Sequence, residues 1–284
     1  MKWKLSLILV LMSSAVSAVA FASPFTQASY SAAMTFTDHN PSTTMTIAWD
    51  GTNYYTASGG GPGSPYGKYD ANGGFISAAS PTPGIDFRSV FTDSANSLLA
   101  RGYNSSSIYQ QTSFGNFMVI ASLAGGLLDS QSAVVLNGAK TEYLAQSGGT
   151  VSRWDLAGNY LGAVTLSGFG GGEAFYPQGR GLATAGNNLL TYYDGILTAW
   201  SMAGVELGST ALTGAGTGFD SGFSYSYAND LFWVVDEAGG TWRGYDIGLG
   251  QSAPIPEPST FLLLGAGLAG VGLLRRRSKN QCAG

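Results

Sequence analysis

The sequence has few of the side chains on which enzyme chemistry most often depends. Its 284 residues include one cysteine, Cys282, and one histidine, His39. Cys282 follows a run of arginines near the C-terminal end of the sequence, and this position leads us to exclude catalysis by a cysteine nucleophile. A single cysteine also leaves no disulfide within the chain and no cysteine–histidine cluster for zinc. We expect neither a metal nor a cofactor.

The single histidine occupies a short polar stretch, Thr37-Asp38-His39-Asn40-Pro41. An aspartate beside a histidine suits Ser-His-Asp catalysis, in which the imidazole is the base. Polar residues followed by proline are more typical of a turn. We therefore interpret His39 as part of a solvated loop and assign no catalytic residue.

The first 22 residues have the pattern of a secretory signal peptide. Lys2 and Lys4 precede an apolar run over 5–16, and small residues follow up to an A-x-A-like site at 20–22. This order is typical of a cleaved signal peptide, and the run is shorter than the roughly 20 residues of a membrane span. We predict cleavage after Ala22; the alternative is an uncleaved N-terminal anchor.

A second hydrophobic segment lies near the C-terminal end. Prolines at 254, 256 and 258 end any preceding strand, and 261–274 contains only apolar residues and glycine. We predict a short hydrophobic helix there that enters the membrane. The positive-inside rule places the basic residues that follow on the cytoplasmic side, where they retain the segment. These residues are Arg275, Arg276 and Arg277.

The order of tripeptide, apolar run and basic end closely resembles the PEP-CTERM sorting signal. The resemblance covers 254–279 and begins with Pro256-Glu257-Pro258-Ser259-Thr260, which matches the sorting and processing motif. It implies that an integral-membrane exosortase recognises Pro-Glu-Pro, and that the protein is sent to the envelope or matrix of a Gram-negative bacterium. The same tail is often labelled an ice-binding protein C-terminal domain, a label that implies no ice binding here.

Without its two end segments the chain is acidic. Seven of the 13 lysines and arginines and 16 of the 17 aspartates and glutamates lie in 23–253, which gives that region a net charge of −9. Nucleic-acid binding needs clustered cationic side chains, so we exclude nucleic acid as a partner. An acidic surface is compatible with cations or with neutral sugars.

The central region contains a sequence repeat. The segments 149–162 and 195–208 each have an alternating strand that ends in tryptophan, a turn that ends in Ala-Gly, and a second strand. Equivalent aromatic residues recur every 40 to 46 residues along the chain. They are Tyr69, Tyr109, Trp154, Trp200 and Tyr245.

A period near 45 residues with several strands per unit is typical of propeller blades. We predict an all-β propeller of about five blades, or six if the ends add a sheet, with the recurrent aromatics packed between blades. Each unit is expected to contain a strand, a hairpin, a strand, a turn and a strand. The alternative is a β-sandwich, which gives no reason for the period. The predicted organisation is a signal peptide (1–22), this domain (23–253), the sorting segment (254–279) and a tail (280–284).

Paired carboxylates are the remaining route to catalysis, as in glycoside hydrolysis. Glu173 differs from the other glutamates because it lies in a loop-like stretch, 170–180, with aromatic residues and an arginine. Loops on a rigid scaffold often carry function, although a long connection between blades explains the stretch more simply. A carboxylate-dependent carbohydrate-active enzyme is therefore the alternative function.

Three tyrosines, Tyr176, Tyr225 and Tyr227, are candidates for stacking on a glycan. The alternation in 224–227 places the last two on one side of a strand, and packing between blades explains this pattern equally well. The stretch Asp70-Ala71-Asn72-Gly73 begins like a calcium loop but lacks the remaining ligands. We interpret it as a turn and predict no metal site.

These observations predict an exported, non-catalytic binding or structural module. Its expected location is the cell surface or the exopolysaccharide matrix of a biofilm, after export across the inner membrane and processing of the tail. Its expected partners are signal peptidase and exosortase during export, the inner membrane transiently, and a polysaccharide.

Overall fold

The computed structural model describes residues 23–41, 43–169, 179–218, 222–236 and 240–249. The strands of these residues form five sheets. The inner strand of each sheet lies beside the inner strands of two neighbouring sheets, and the last sheet meets the first. The fold is therefore the predicted propeller, with five blades, and not a sandwich. The predicted signal peptide and sorting segment lie outside the described residues.

Each blade contains four strands that are antiparallel and ordered from the axis outward, with one strand of blade 5 supplied from the N-terminal side. Two N-terminal strands, β1 (Ser29–Ser31) and β2 (Met34–Thr37), precede blade 1. Blade 1 contains β3 (Thr44–Trp49), β4 (Tyr54–Ser58), β5 (Tyr66–Tyr69) and β6 (Phe75–Ala79). Blade 2 contains β7 (Phe87–Thr92), β8 (Leu98–Gly102), β9 (Ser107–Ser113) and β10 (Asn116–Ser122).

Blade 3 contains β11 (Val134–Leu136), β12 (Glu142–Ser147), β13 (Thr150–Asp155) and β14 (Tyr160–Thr165). Blade 4 contains β15 (Ala183–Ala185), β16 (Asn188–Tyr193), β17 (Ile196–Ser201) and β18 (Glu206–Thr213). Blade 5 contains β19 (Tyr225–Ala228), β20 (Leu231–Asp236) and β21 (Thr241–Tyr245), and β2 is its outer strand.

The N-terminal segment closes the ring. Strand β2 pairs antiparallel with β21, so the first and last parts of the domain share one sheet. Phe36 of β2 is buried, and its ring lies 4.8 Å from that of Tyr69 in blade 1 and 5.5 Å from that of Trp233 in blade 5. Before this, β1 runs parallel along the outer edge of β18 and covers the edge of blade 4.

The inner strand of each blade was not part of the predicted repeat unit, which had three strands where the structure has four. The inner strands β11 and β15 are only three residues long. Strands this short carry too few residues for alternation to stand out from the surrounding turns. The predicted unit therefore corresponds to the three outer strands of each blade.

The recurrent aromatics pack between blades, as the repeat predicts. The rings of Tyr69, Trp154, Trp200 and Tyr245 are almost completely buried. Tyr109 differs because it is only partly buried, and its neighbour Ile108 is the fully buried residue. Blade 2 is also irregular in register, with a bulge in β10 between Val119 and Ala121.

Hydroxyl side chains join neighbouring inner strands near the axis. In blade 2, the amide of Val90 donates to Thr46 Oγ1 of blade 1 at 2.7 Å. Burial of these groups makes each bond stronger than it would be in water. Equivalent bonds connect Val134 N to Ser89 Oγ, Thr184 Oγ1 to Leu136 O, and Ile47 N to Ser226 Oγ.

The stretch at Asp70 is a turn, as predicted, between the third and fourth strands of blade 1. Asp70 Oδ1 accepts hydrogen bonds from the amides of Asn72 and Gly74, each at 2.8 Å. Gly73 has a φ of 80°, which an L side chain rarely adopts. Asp155 forms the equivalent turn in blade 3.

Candidate functional site

A cavity of about 500 Å³ opens at one end of the propeller axis. Its wall is made by the inner strands of all five blades and by the turns that follow them. The wall combines aliphatic residues, among them Ala48, Val90 and Ala183, with polar groups, which contribute more than half of its accessible surface. Ligand pockets usually have volumes of roughly 300–1,000 Å³ and combine apolar walls with a few polar groups.

Several polar groups of this cavity lie on the turns at its rim. Four of them have left-handed backbone conformations: Asn96 (φ 62°), Lys140 (φ 58°), Asn229 (φ 50°) and Asp230 (φ 58°). Asparagine and aspartate tolerate this region because their short side chains form local hydrogen bonds, whereas lysine does so at a cost. A strained non-glycine residue in a pocket wall is a reason to consider function there.

Contacts from blade to blade hold the rim in place. Lys140 Nζ of blade 3 donates to the carbonyl oxygen of Thr92 in blade 2 at 2.8 Å. Asn229 Nδ2 of blade 5 donates to the hydroxyl of Tyr54 in blade 1 at 2.7 Å. Between blades 3 and 4 the backbones approach so closely that a Cβ on Gly138 would overlap the carbonyl oxygen of Gly186. The rim is therefore preorganised.

Two ionisable groups of the cavity have shifted pKa values. Burial lowers the pKa of Lys140 from its ordinary value, and nearby Asp93 partly opposes this. Burial raises the pKa of Tyr227, and the carboxylates of Asp230 and Asp246 raise it further. The Tyr227 hydroxyl is buried and has no hydrogen-bond partner among the described residues. Its proton is therefore retained at neutral pH.

One aromatic ring and one carboxylate complete the set of groups at the rim. Trp49, at the end of β3, is half-buried, and its ring lies 4.5 Å from that of Tyr54. Asp230 is exposed and forms no ion pair with any described cation. With Asn96, these side chains offer an aromatic face, an amide and a carboxylate to a ligand.

The tyrosines proposed for glycan stacking differ in exposure, because Tyr225 is buried and Tyr227 is partly exposed. Tyr225 and Tyr227 do lie on one side of β19, but that side faces blade 4. Tyr225 is fully buried, 5.9 Å from the ring of Tyr192, and has no face for a sugar. For Tyr225, packing between blades is therefore the correct interpretation, whereas the partly exposed Tyr227 lines the cavity. Tyr176 lies outside the described residues.

The predicted solvated loop at His39 is wrong. The side chain is 18% exposed, and its ring stacks on Phe75 at 4.9 Å. His39 Nδ1 lies 3.2 Å from Asp38 Oδ1, and Asp38 also accepts hydrogen bonds from Tyr69 and Trp242. This cluster connects blade 1 to blade 5 beside the closing strand, so its position is structural.

The opposite end of the axis has arginines that are already engaged. Arg88 pairs with Asp86 at 2.8 Å, and Arg180 pairs with Asp129 at 2.9 Å. Arg101 is buried and donates to backbone carbonyl oxygens of two loops, at 105 and 129–132. Burial lowers its pKa to about 10, and the nearby Arg88 adds to this. These arginines stabilise loops.

The two glutamates that the structure describes, Glu142 and Glu206, lie in different blades. Glu142 forms an ion pair with Arg153 at 2.8 Å, and Glu206 is exposed at the start of β18. Glu173 and Glu237 lie outside the described residues. Among the residues that the structure describes, no three His, Cys, Asp or Glu side chains are grouped as metal ligands would be.

The sequence singled out none of the polar rim residues Asn96, Lys140, Asn229 and Asp230. Each belongs to a short polar turn after an inner strand, a signal that predicts a turn and nothing more. A search of the sequence for Asn or Asp immediately after each short apolar run would have found Asn229 and Asp230 but neither Asn96 nor Lys140.

Comparison with known proteins identifies a family motif in the tail of the chain. Residues 254–277 match the model of the PEP-CTERM protein-sorting motif. No curated protein matches the chain. In the described part of the chain, no helix has the length and apolar character needed to cross a membrane.

Three solved structures are similar to this chain at low sequence identity. A streptogramin B lyase is 9% identical with a TM-score of 0.46, over 74% of this chain and 96% of its own. A virginiamycin B lyase from Staphylococcus aureus is 12% identical with a TM-score of 0.39, over 72% and 67%. A protein of unknown function from Bacteroides thetaiotaomicron is 13% identical with a TM-score of 0.47, over 71% and 58%. What is established is a five-bladed propeller followed, at residues 254–277, by a PEP-CTERM sorting signal of an exported protein.

Proposed function

We propose that the chain is a non-catalytic glycan-binding module of the cell envelope or exopolysaccharide matrix, and that the axial cavity is its binding site. Exosortase and signal peptidase act on it during export. The observation that carries the proposal is the rim, where an indole, an amide and a carboxylate surround a preformed cavity. Aromatic rings stack on sugar faces, and planar polar side chains hydrogen-bond to hydroxyl groups.

Charge favours a neutral glycan as the ligand. The cavity lining contains one cation, Lys140, and one carboxylate, Asp230, among the described residues. The central region has a net charge of −9, which repels anionic polymers at long range. A neutral polysaccharide does not experience this repulsion.

The experiment is binding of the purified mature chain to an array of neutral and anionic glycans. The test variant is Asn96→Gly, which removes the amide and keeps a residue that accepts a positive φ. The matched control is Asn104→Gly, an exposed turn residue outside the cavity that also has a positive φ, 49°. We expect binding to neutral glycans that is weakened by Asn96→Gly alone. Binding to no glycan, or equal binding by both variants, would contradict the proposal.

The alternative function is a carbohydrate-active enzyme that uses carboxylates. It rests on Glu173, whose stretch of sequence differs from the rest of the repeat. Turnover on a polysaccharide panel that is lost in Glu173→Gln would favour the enzyme. Glycan binding that is unchanged in Glu173→Gln, without turnover, would favour the binding module.

A further inference from the structure

The axial cavity occupies only the half of the propeller axis on which it opens. The last three residues of β3, Ile47–Trp49, line it, and so do the last three residues of β7, Val90–Thr92. The earlier residues of these two strands, 44–46 and 87–89, do not line it. Three residues of a strand span about 7 Å, so the wall that the strands build is about that deep below the rim.

Side chains with hydroxyl groups close the axis below the cavity. Thr46 Oγ1 accepts a hydrogen bond from a backbone amide of blade 2 at 2.7 Å, and Ser89 Oγ accepts one from an amide of blade 3 at 3.0 Å. On the side of blade 5, Ser224 Oγ donates to the carbonyl oxygen of Thr44 at 2.6 Å. These four residues are at most 2% exposed. The cavity is therefore a pit with a floor, and a ligand can enter it only through the mouth.

Side-chain hydrogen bonds close two of the five gaps between neighbouring blades at the mouth. Lys140 Nζ of blade 3 donates to the carbonyl oxygen of Thr92 in blade 2 at 2.8 Å. Asn229 Nδ2 of blade 5 donates to the hydroxyl of Tyr54 in blade 1 at 2.7 Å. The gaps between blades 2 and 3 and between blades 5 and 1 are therefore bridged.

Close approaches at glycines fill the other three gaps. Between blades 1 and 2, Asn96 Nδ2 lies 3.2 Å from where a Cβ on Gly51 would be. Between blades 3 and 4, a Cβ on Gly138 would overlap the carbonyl oxygen of Gly186. Between blades 4 and 5, the carbonyl oxygen of Leu249 lies 3.5 Å from where a Cβ on Gly186 would be. The mouth is therefore enclosed on all sides, and no groove between the described residues leads across it.

The shape of the mouth determines which part of a polymer can reach the floor. The interior of a chain continues in two directions, so it fits only a site that a groove leaves on two sides. The end of a chain or of a branch continues in one direction and can enter a pit through its mouth. Polar groups of the wall below the rim, such as Thr184 and Ser226, are within reach only of a ligand that enters.

We propose that the pit binds the end of a neutral glycan chain or branch, and not the interior of a polymer. This inference rests on the proposed function of the cavity and defines the part of the glycan that the cavity recognises. Pockets of roughly 300–1,000 Å³ enclose most of a drug-sized ligand, which is comparable in size with a mono- or disaccharide. The cavity volume of about 500 Å³ therefore suits one terminal mono- or disaccharide unit.

The first test counts chain ends. The purified mature chain is titrated with dextran, amylose, mannan and galactan, each intact and after partial acid hydrolysis, at equal mass. Doubling the number of ends per gram should about double the protein bound at saturation, because each end holds one protein. Binding per gram that stays constant as the chains become shorter would overturn the proposal, since hydrolysis keeps most interior sites.

A cyclic glycan is the matched control, because it has the linkage of a linear chain but no end. For the polymer that binds, a linear oligosaccharide should compete and its cyclic form should not, as with maltoheptaose and cyclomaltoheptaose for amylose. Equal competition by the cyclic form would overturn end recognition, whereas glycan binding would stand. If none of the polymers binds in either form, the proposed function fails, and end recognition fails with it.

A pair of variants tests whether the sugar enters the pit. Val135 lines the pit and Val164 lies on the outer strand β14, and both are partly buried valines of blade 3 that pack on the same core cluster. Val135→Phe fills part of the pit and should weaken binding by about tenfold or more, whereas Val164→Phe should leave it unchanged. Urea midpoints show whether both variants fold.

The opposite pattern would identify a glycan that lies across the rim. In that case Val135→Phe would bind as the unchanged chain does, while Asn96→Gly would still weaken binding. This result would overturn entry of a chain end and would leave the proposed function intact.

Discussion

Buried tyrosine hydroxyls make the stability of this domain sensitive to alkaline pH. Burial raises the pKa of Tyr66 and of Tyr245 from 10.0 to about 12. The unfolded chain then loses these protons first as pH rises, so unfolding becomes more favourable. The stabilisation is complete below pH 10 and is lost as pH approaches about 12.

We therefore predict that the urea midpoint of unfolding falls between pH 10 and pH 12. Arg101, with a pKa lowered to about 10, acts in the opposite direction, but it is one group against several tyrosines. Tyr66→Phe should reduce the fall, because it removes one of the titrating hydroxyls. Circular dichroism at a series of pH values measures this, and an unchanged pH dependence in Tyr66→Phe would count against the explanation.

Asp38 links blades 1 and 5 through buried hydrogen bonds. It is buried and accepts hydrogen bonds from Tyr69 at 3.1 Å and from Trp242 Nε1 at 2.9 Å. Asp38→Asn replaces one accepting oxygen with a donor, so one partner loses its bond. We predict a loss of about 1–3 kcal/mol in the free energy of unfolding. The control Asp155→Asn, in an exposed turn, should change it by less than about 0.5 kcal/mol. Equal effects would contradict this role.

At the scale of elements, the closing strand β2 has more effect on stability than its four residues suggest. Phe36 is enclosed by aromatic rings of blades 1 and 5. We predict that Phe36→Ala lowers the free energy of unfolding by about 3–5 kcal/mol, the usual cost of such a core truncation. Phe25→Ala should cost less, because Phe25 lies on the covering segment of blade 4 and not at the closure. Urea titration compares the two, and a larger effect at Phe25 would contradict this account.

The sequence predicted those elements whose signals are local. The turn predicted at Asp70-Ala71-Asn72-Gly73 has its positive φ at the glycine, 80° at Gly73, as that order of residues indicates. The inner strands β11 and β15 were missed because three residues give no periodicity, an explanation that does not extend to β3 and β7, which have six residues each. The prediction for His39 was wrong because its polar neighbours suggested that the side chain is exposed to solvent. In the structure the neighbouring Asp38 is buried against Trp242, which lies more than 200 positions away in the sequence.

At the scale of the whole molecule, a sequence repeat could predict the ring but not the chemistry at its centre. The period of the aromatics follows from packing between blades, which repeats along the chain. The rim of the cavity does not repeat: Trp49, Asn96, Lys140 and Asn229 each come from a different blade. Only closure of the ring brings them together, so the site could not be read from any single segment.

The central claim is that this axial rim is the binding site for a neutral glycan. Hydrogen–deuterium exchange of the mature chain, with and without a saturating neutral glycan, tests it most directly. We predict slower exchange in the rim turns 93–96, 137–140 and 229–230, which lie in three different blades. Protection on the outer strands or at the opposite end of the axis, or no protection anywhere, would contradict the claim.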